Sequence, residues 1–368
     1  MGLKIGMLTS GGDCQGLNSA MRGVAKRLYE HDKDVEIIGF LDGYAGLMFR
    51  NFRQMSIDDF SGILTIGGTI LGTSRQSFKT MHDPLFSNQK DGPTKLEAMI
   101  QTYEELHLDC LVILGGNGSH KTANLLSEKG LNIISLPKTI DNDLWGTDMT
   151  FGFQSAVNIA TEVIDGIHST ALSHGRAFIV EIMGHKVGWM TLHAGIAGGA
   201  DVILIPEIPY DPMSVAAAVN RRAREHKRFS IIAIAEGAKT KEEAKMSKSD
   251  YQEKIEKSPL TSVAYRLASV LDKLSIQEVR CVVPGHFQRG GTPSAYDRVL
   301  TTALGVEAAD MILDKKFGRM VGIVNGKVVG IPLKEVAGKL KSVPLDHYLV
   351  ADARKTGIFF GDEQLDYV

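Results

Sequence analysis

Short apolar runs, many of them β-branched, recur along the chain and stop at turn residues: KIGMLTS, VEIIGF, CLVILGG, NIISLP, AFIVEIMG, VILIPE, SIIAIAEG and VRCVVPG. Unbroken apolar runs of this length predict strands buried on both faces. Between them apolar positions return at steps of three and four, at Leu17, Met21, Val24 and Leu28 and again at Ala156, Ala160, Val163, Ile164 and Ile167. That spacing predicts helices with one apolar face. Strand and helix in alternation predict an α/β fold, its parallel sheets covered by helices on both sides. Ligands in such folds sit at the carboxyl ends of the strands, where most of the glycine-rich turns of this chain fall.

Three stretches break the rhythm. Residues 237–262 are dense in Lys and Glu and read as a solvated excursion. Residues 219–228, NRRAREHKRF, end a helical pattern in cations that complement the helix dipole or offer an anion site. Asn325-Gly326 between apolar runs is a hairpin signal. A length of 368 residues suits two lobes, taking about 100 to 200 residues per domain.

A net charge of −2 supplies no overall basic field for nucleic acid or an anionic membrane. No run approaches the roughly 18 apolar residues of a membrane span, and the N-terminus reads as a strand and not a signal peptide. Cys14, Cys110 and Cys281 form no CxxC pair and fit a reduced cytoplasm. The expectation is a cytoplasmic protein without nucleic-acid or membrane partners.

Candidate chemistry lies in the turns. GGNGSHKTA, residues 115–123, nearly spells a Walker A loop, but His120 stands where its second Gly belongs. TSGGDCQGLNSAMRG follows the first apolar run and opens a helix, so its backbone N–H groups face an anion; Asp13 breaks the GxGxxG pattern. Gly115, Gly116 and Gly118 repeat that design, with Ser119 placed either to cap the helix or to bond a phosphate. Together the two loops predict a polyphosphate lying across adjacent strand ends. PKTIDNDLWGTD sets Asp141 and Asp143 two residues apart, which fits an Asx-rich turn or a division between a proton acceptor and a metal-phosphate holder. Arg176, Arg280, His286 and Arg289 are candidates for a sugar phosphate.

These segments, in this order, resemble the phosphofructokinase family over essentially the whole chain: LTSGGDCQGLNSAMRGV, GGTILGTSR, GGNGS, PKTIDND, SHGRAFIVEIMGHKVGW, GGADVILIPE, IAEG and PGHFQRGGTPSAYDR. The resemblance implies two similar Rossmann-like lobes with mainly parallel sheets: a donor lobe over 1–140, a sugar-phosphate lobe over 141–310, and a hairpin and tail over 311–368, the chain crossing between lobes. It implies phosphoryl transfer from ATP with Mg²⁺ to the 1-hydroxyl of fructose 6-phosphate. Asp141 would take the hydroxyl proton, Thr139 would position the phosphoryl group, and Asp143 and Asn117 would serve the metal. The donor would lie along Gly12, Tyr44, Arg75, Gly116, Asn117, Gly118 and Ser119. The sugar phosphate would meet Thr139, Asp141, Asp143, Arg176, Met183, Gly184, His185, Glu236, Arg280, His286 and Arg289. Arg176 and Arg280 would come from a neighbouring subunit of a homo-oligomer, most often a tetramer.

Departures from the family pattern bear on the donor and on catalysis. Asn117 replaces an Asp that touches the metal shell, which weakens the local charge. Gly118 is the residue of ATP users, where pyrophosphate users carry an obstructing Asp. Lys138 is typical of pyrophosphate users, and the combination of Gly118 with Lys138 resembles a mixed ATP-using subset. His185 stands where an Arg often stabilises the transferring group, and Lys138 is expected to supply that cation. The rival expectations are a pyrophosphate-dependent enzyme and a catalytically weak sensing subunit. A more distant one is a kinase of NAD or a lipid. Arg22 and Lys26 stand where effector-binding cations occur in short bacterial members.

Overall fold

The computed structural model describes residues 2–89 and 91–365; Met1, Lys90 and residues 366–368, at the outer ends of the expected first and last segments among them, lie outside the described residues. The first six strands are β1 Lys4–Ser10, β2 Glu36–Phe40, β3 Phe52–Met55, β4 Cys110–Gly115, β5 Ile133–Thr139 and β6 Phe151–Gly152. They are followed by β7 Ala177–Ile182, β8 Val202–Leu204, β9 Ser230–Ala235, β10 Val279–Val282, β11 Arg319–Val324 and β12 Lys327–Pro332. The apolar runs of the sequence supply the strands that are buried along their length, β4, β5 and β9 above all.

The described chain divides into two compact units. Residues 1–155 and 289–341 form the first, whose sheet runs β12-β11-β5-β4-β1-β2-β3, with β6 paired beside β5. Its pairings are parallel except β2 with β3 and β11 with β12. Residues 156–288 and 342–365 form the second, around the all-parallel order β10-β7-β9-β8. The α/β architecture with mainly parallel sheets follows from the patterning, although the two sheets differ in size.

Local bonds explain where the first unit ends. The buried Asp297 carboxylate accepts from Gly152 N–H at 3.0 Å, Ser155 N–H at 2.8 Å and the Ser155 hydroxyl at 2.5 Å. Residues beyond the acidic turn are thereby held by the helix Ala295–Leu313, and 141–155 stay with the first sheet. The β11–β12 hairpin closes at Asn325-Gly326, both with positive φ (52° and 74°), the pair of left-handed residues that a type I′ turn requires. The charged stretch 237–262 carries the helix Lys248–Glu256, which buries no residue.

Core packing in the first unit centres on Leu111, Ile113 and Ile133 from the sheet, with Leu8, Phe40, Leu126 and Met320 around them. In the second it centres on Ile179, Ile232 and Ile234 against Val215, Leu267 and Leu271. Burying each such side chain contributes about 1.5–3 kcal/mol. The helix Leu17–His31 and the helix Ala295–Leu313 cross backbone to backbone: a Cβ on Gly305 would stand 2.7 Å from Ala20 O and 2.8 Å from Val24 N. Neither neighbour is a flexible side chain that can swing aside. Gly305→Ala is expected to cost about 1–3 kcal/mol by forcing the helices apart; urea unfolding measures it, and a loss below about 0.5 kcal/mol would contradict this packing.

Candidate active site

β1 and β4 are neighbours, and each ends in a glycine turn that opens a helix, Leu17–His31 after the first and Asn117–Glu128 after the second. Neither helix start receives a side-chain cap. Elsewhere the chain does cap: Thr94, Asp211, Ser262 and Ser294 each accept from a first-turn N–H of their helices. Ser119 is not a cap either, since its hydroxyl donates to Ser10 Oγ at 3.0 Å and so joins the two turns. The two glycine turns are thus joined, and the helix Asn117–Glu128 starts uncapped at a partly exposed turn where its dipole favours an anion. The start of Leu17–His31 is buried against Phe151 and Thr301.

Cations gather at the same place. Lys138, at the end of β5 and 4% exposed, donates from Nζ to the Gly12 carbonyl. A Cβ on Gly12 would stand 2.9 Å from Arg289 Nη1 and 3.4 Å from Arg75 Nη2. Arg289 also donates to the Asp13 carbonyl at 2.9 Å. Burial pulls the Lys138 ammonium below the usual lysine range, and Arg289 adds to that, while Asp141 and Asp143 oppose it. Glycines 11 and 12 thus lie among three positive groups with no side chain of their own in the way.

Gly118 contributes differently. It occupies the first helical turn, and a Cβ built on it meets nothing within 4 Å. A glycine there costs the helix about 1 kcal/mol relative to alanine, and no packing in the protein requires it. The Asn117 amide donates from Nδ2 to the Lys339 carbonyl at 2.7 Å, a bond that an aspartate cannot make.

Two buried side chains support the second turn from beneath. Tyr44, expected among the donor contacts, is 1% exposed, and its hydroxyl donates to the Ser119 carbonyl at 2.8 Å. It reaches that turn through the Ser119 carbonyl. His120 lies 2.8 Å through Nδ1 from the Gly116 carbonyl. A carbonyl only accepts, so Nδ1 carries the proton, and Nε2 is left buried without a hydrogen-bond partner. Burial pulls the His120 pKa down to about 4, with Lys138 adding to the effect.

The acidic turn follows β5. Thr139 Oγ1 accepts from Asp141 N–H at 3.1 Å, and the Thr139 carbonyl accepts from the Thr150 hydroxyl at 2.8 Å. Asn142 between the two acids has φ 52°, and its Oδ1 accepts from Thr150 N–H at 3.1 Å and Lys341 Nζ at 2.9 Å. Burial lowers the Lys341 pKa to about 8, against the pull of Asp148 and Asp143.

The second unit holds the other expected residues. Glu236 accepts from Gly184 N–H at 3.3 Å and His185 N–H at 2.7 Å, which fixes the turn after β7; His185 itself is exposed. Met183 N–H donates to Gln288 Oε1 at 3.2 Å, and His286 is exposed. Arg176 pairs through Nε with Glu278 at 2.5 Å, and Arg280 on the edge strand β10 pairs with the same carboxylate. Both arginines hold the Glu278 carboxyl below its ordinary range.

Sequence reasoning missed Glu278, Gln288, His120, Lys339 and Lys341. Only Glu278 carried a signal: two residues before Arg280 along a strand direction, it shares that residue's face. Arg22 and Lys26 are partly exposed on the first helix. Among the described residues no group of three or more His, Cys, Asp or Glu is placed to hold a metal, and no helix is long and apolar enough to cross a membrane.

A family profile described as phosphofructokinase matches residues 4–312. The ATP-dependent 6-phosphofructokinase of Spirochaeta thermophila is 53% identical over 358 residues, covering 97% of each chain. That of Propionibacterium freudenreichii is 45% identical over 383 residues, covering 98% of this chain and 100% of the relative. Among solved structures, the Pichia pastoris phosphofructokinase in the T-state superposes with a TM-score of 0.77 at 30% identity, covering 91% of this chain but 35% of that longer one. A pyrophosphate-dependent phosphofructokinase from Marinobacter aquaeolei shares the fold, with a TM-score of 0.79 at 22% identity over 99% of this chain and 94% of that one.

His120 generates a prediction about folding and pH. The unfolded chain takes up the histidine proton near pH 6.5 and the folded chain near pH 4. Stability therefore falls as pH drops through that window and is unaffected above it. Wild type should lose on the order of 1–3 kcal/mol more than His120→Gln between pH 7 and pH 4.5. Equal losses in denaturant titrations at both pH values would contradict the assignment.

Proposed function

The chain belongs to the phosphofructokinase family, and we propose that its first unit holds the phosphoryl donor across the turns at Gly11–Gly12 and Gly116–Ser119. The protein phosphorylates fructose 6-phosphate with ATP, a glycolytic step. The observation that carries the site assignment is the joining of the Gly11–Gly12 turn, with Lys138, Arg75 and Arg289 around it, to the uncapped helix start after β4.

Each residue's role follows from its surroundings. Backbone N–H groups of the Gly12 turn and of the helix start after β4 receive phosphate oxygens. Lys138 and Arg75 balance the charge that spreads over the transferring phosphoryl oxygens, and such electrostatic positioning is most of what phosphoryl transfer needs. Asp141 accepts the proton of the sugar's 1-hydroxyl. Thr139, its hydroxyl already bonded to Asp141 N–H, fixes the spacing between donor and base. In the second unit Glu236 shapes the turn Met183–His185 for the sugar.

The donors available for Mg²⁺ are hard oxygens, the carboxylates of Asp141 and Asp143 and the amide oxygen of Asn117. Mg²⁺ typically uses one or two carboxylates with substrate phosphates and water, so a site without a dedicated cage fits it. When bound, it neutralises phosphate charge. The hydrogen bond that the Asn117 amide donates to the Lys339 carbonyl explains how Asn is tolerated here: the side chain anchors the loop and keeps one oxygen acceptor.

The chain acts in the cytoplasm as a homo-oligomer, with Arg176 and Arg280 serving a neighbouring subunit's sugar phosphate. Their shared pairing with Glu278 supports this reading, because it holds both guanidinium groups together at a sheet edge. A phosphate dianion would compete with Glu278 for the same pair.

Gly118 separates folding from donor choice. Gly118→Asp has room for its side chain and places an acid at a helix N-terminus, so thermal stability should hold or rise. The kcat/KM with ATP should nevertheless drop by about 100-fold. Wild-type kcat/KM in this variant would remove the steric and electrostatic argument for the donor. Lys138→Met should lower kcat by about 100-fold or more in the same coupled assay for fructose 1,6-bisphosphate; near-normal turnover would mean that Lys138 only supports the Gly12 turn.

A further inference from the structure

Residues Gly338–Lys341, the last of the first unit, run between the turn after β4 and the acidic turn after β5. At one end Lys339 offers its carbonyl to the Asn117 amide at 2.7 Å. A Cβ on Gly338 would stand 3.2 Å from Lys121 Cε on the same helix. At the other end Leu340 bridges antiparallel to Leu144, and Lys341 N–H donates to the Asp143 carbonyl at 2.9 Å.

The Lys341 side chain then binds the acidic turn from its far side. Its ammonium donates to Asn142 Oδ1, the Thr147 carbonyl and the Asp148 carbonyl, each at 2.9 Å. An ammonium only donates, and each of these three oxygens accepts from it. These acceptors lie on a loop with no helix and, up to β6, no strand between Thr139 and Phe151. Asn142 sits at positive φ between Asp141 and Asp143, so the residue that Lys341 grips is bonded along the chain to both acids.

We propose that Gly338–Lys341 is a strap that positions the acidic turn for phosphoryl transfer, with Lys341 as its anchor, and couples that turn to the donor loop through Lys339 and Asn117. Lys341 is a positioning residue, since it acts through Asn142 and the loop carbonyls. The inference rests on the reading that Asp141 is the base. It adds a residue far along the chain whose loss lowers turnover without removing any contact to either substrate.

The test compares Lys341→Met and Asp141→Asn with wild type by steady-state kinetics and by hydrogen exchange of the substrate-free protein. Lys341→Met should lower kcat by about 10- to 100-fold while KM for fructose 6-phosphate and ATP stays within about threefold, the pattern of a misplaced group and not of a lost contact. Amides of 141–150 should exchange faster, with the strands β1 and β4 unchanged. Wild-type kcat and wild-type exchange in Lys341→Met, with Asp141→Asn inactive, would overturn the strap and leave the base assignment standing. An active Asp141→Asn would overturn the reading beneath it. Should Lys341→Met not fold, Asn142→Gly keeps the backbone conformation and deletes one acceptor. A joint change in kcat and 141–150 exchange then supports the strap, and no change in either refutes it.

Discussion

A buried ammonium organises the first unit. Lys138 lies at the end of a central strand, 4% exposed, where an unpaired cation would cost several kcal/mol. The chain meets that cost by bringing the Gly12 carbonyl onto Nζ. The bond fixes the turn after β1 relative to the end of β5. The Ser10–Ser119 bond fixes the turn after β4 to the turn after β1. Three strand ends are therefore held to one another before any substrate arrives, with Lys138, Arg75 and Arg289 beside Gly11 and Gly12.

This arrangement accounts for features that look like defects when taken singly. Two helices begin without caps: Leu17–His31 follows Gly16, whose φ of 96° favours glycine, while Asn117–Glu128 would be stabler with a serine or aspartate cap. The buried His120 leaves a ring nitrogen without a partner so that its other nitrogen can hold the Gly116 carbonyl. Asn142 adopts a strained backbone so that its side chain can meet both Thr150 and Lys341. Local stability is given up around a site that has to bind concentrated negative charge and to present two carboxylates beside it.

Much of this was legible in the residues. Strands appeared as unbroken apolar runs because parallel strands covered on both faces have no polar side to interrupt them. Asn325-Gly326 specified its own turn, since few other pairs take positive φ twice in succession. The glycine turns and the acidic pair were visible because their chemistry is local. What escaped was set by contacts distant along the chain: Lys341 meets Asn142 only because β11 and β12 bring the chain back beside β5. The sequence likewise suggested a lobe boundary after residue 140, whereas the contacts keep 141–155 with the first sheet through Asp297, which lies 142 residues beyond Ser155. Ser119 read first as a helix cap, with a phosphate ligand as the alternative, whereas its hydroxyl bonds Ser10.

The central claim is that the donor's phosphates lie across the turns after β1 and β4 with Lys138 at the group to be transferred. A crystal structure of the chain with an unreactive ATP analogue and Mg²⁺ tests it most directly. The account predicts phosphate oxygens on the N–H groups of Gly12 and Gly116–Ser119 and the terminal phosphorus within about 4 Å of Lys138 Nζ, a distance that allows a direct charge-assisted bond. Phosphates bound elsewhere, with Lys138 still turned away onto the Gly12 carbonyl, would contradict it.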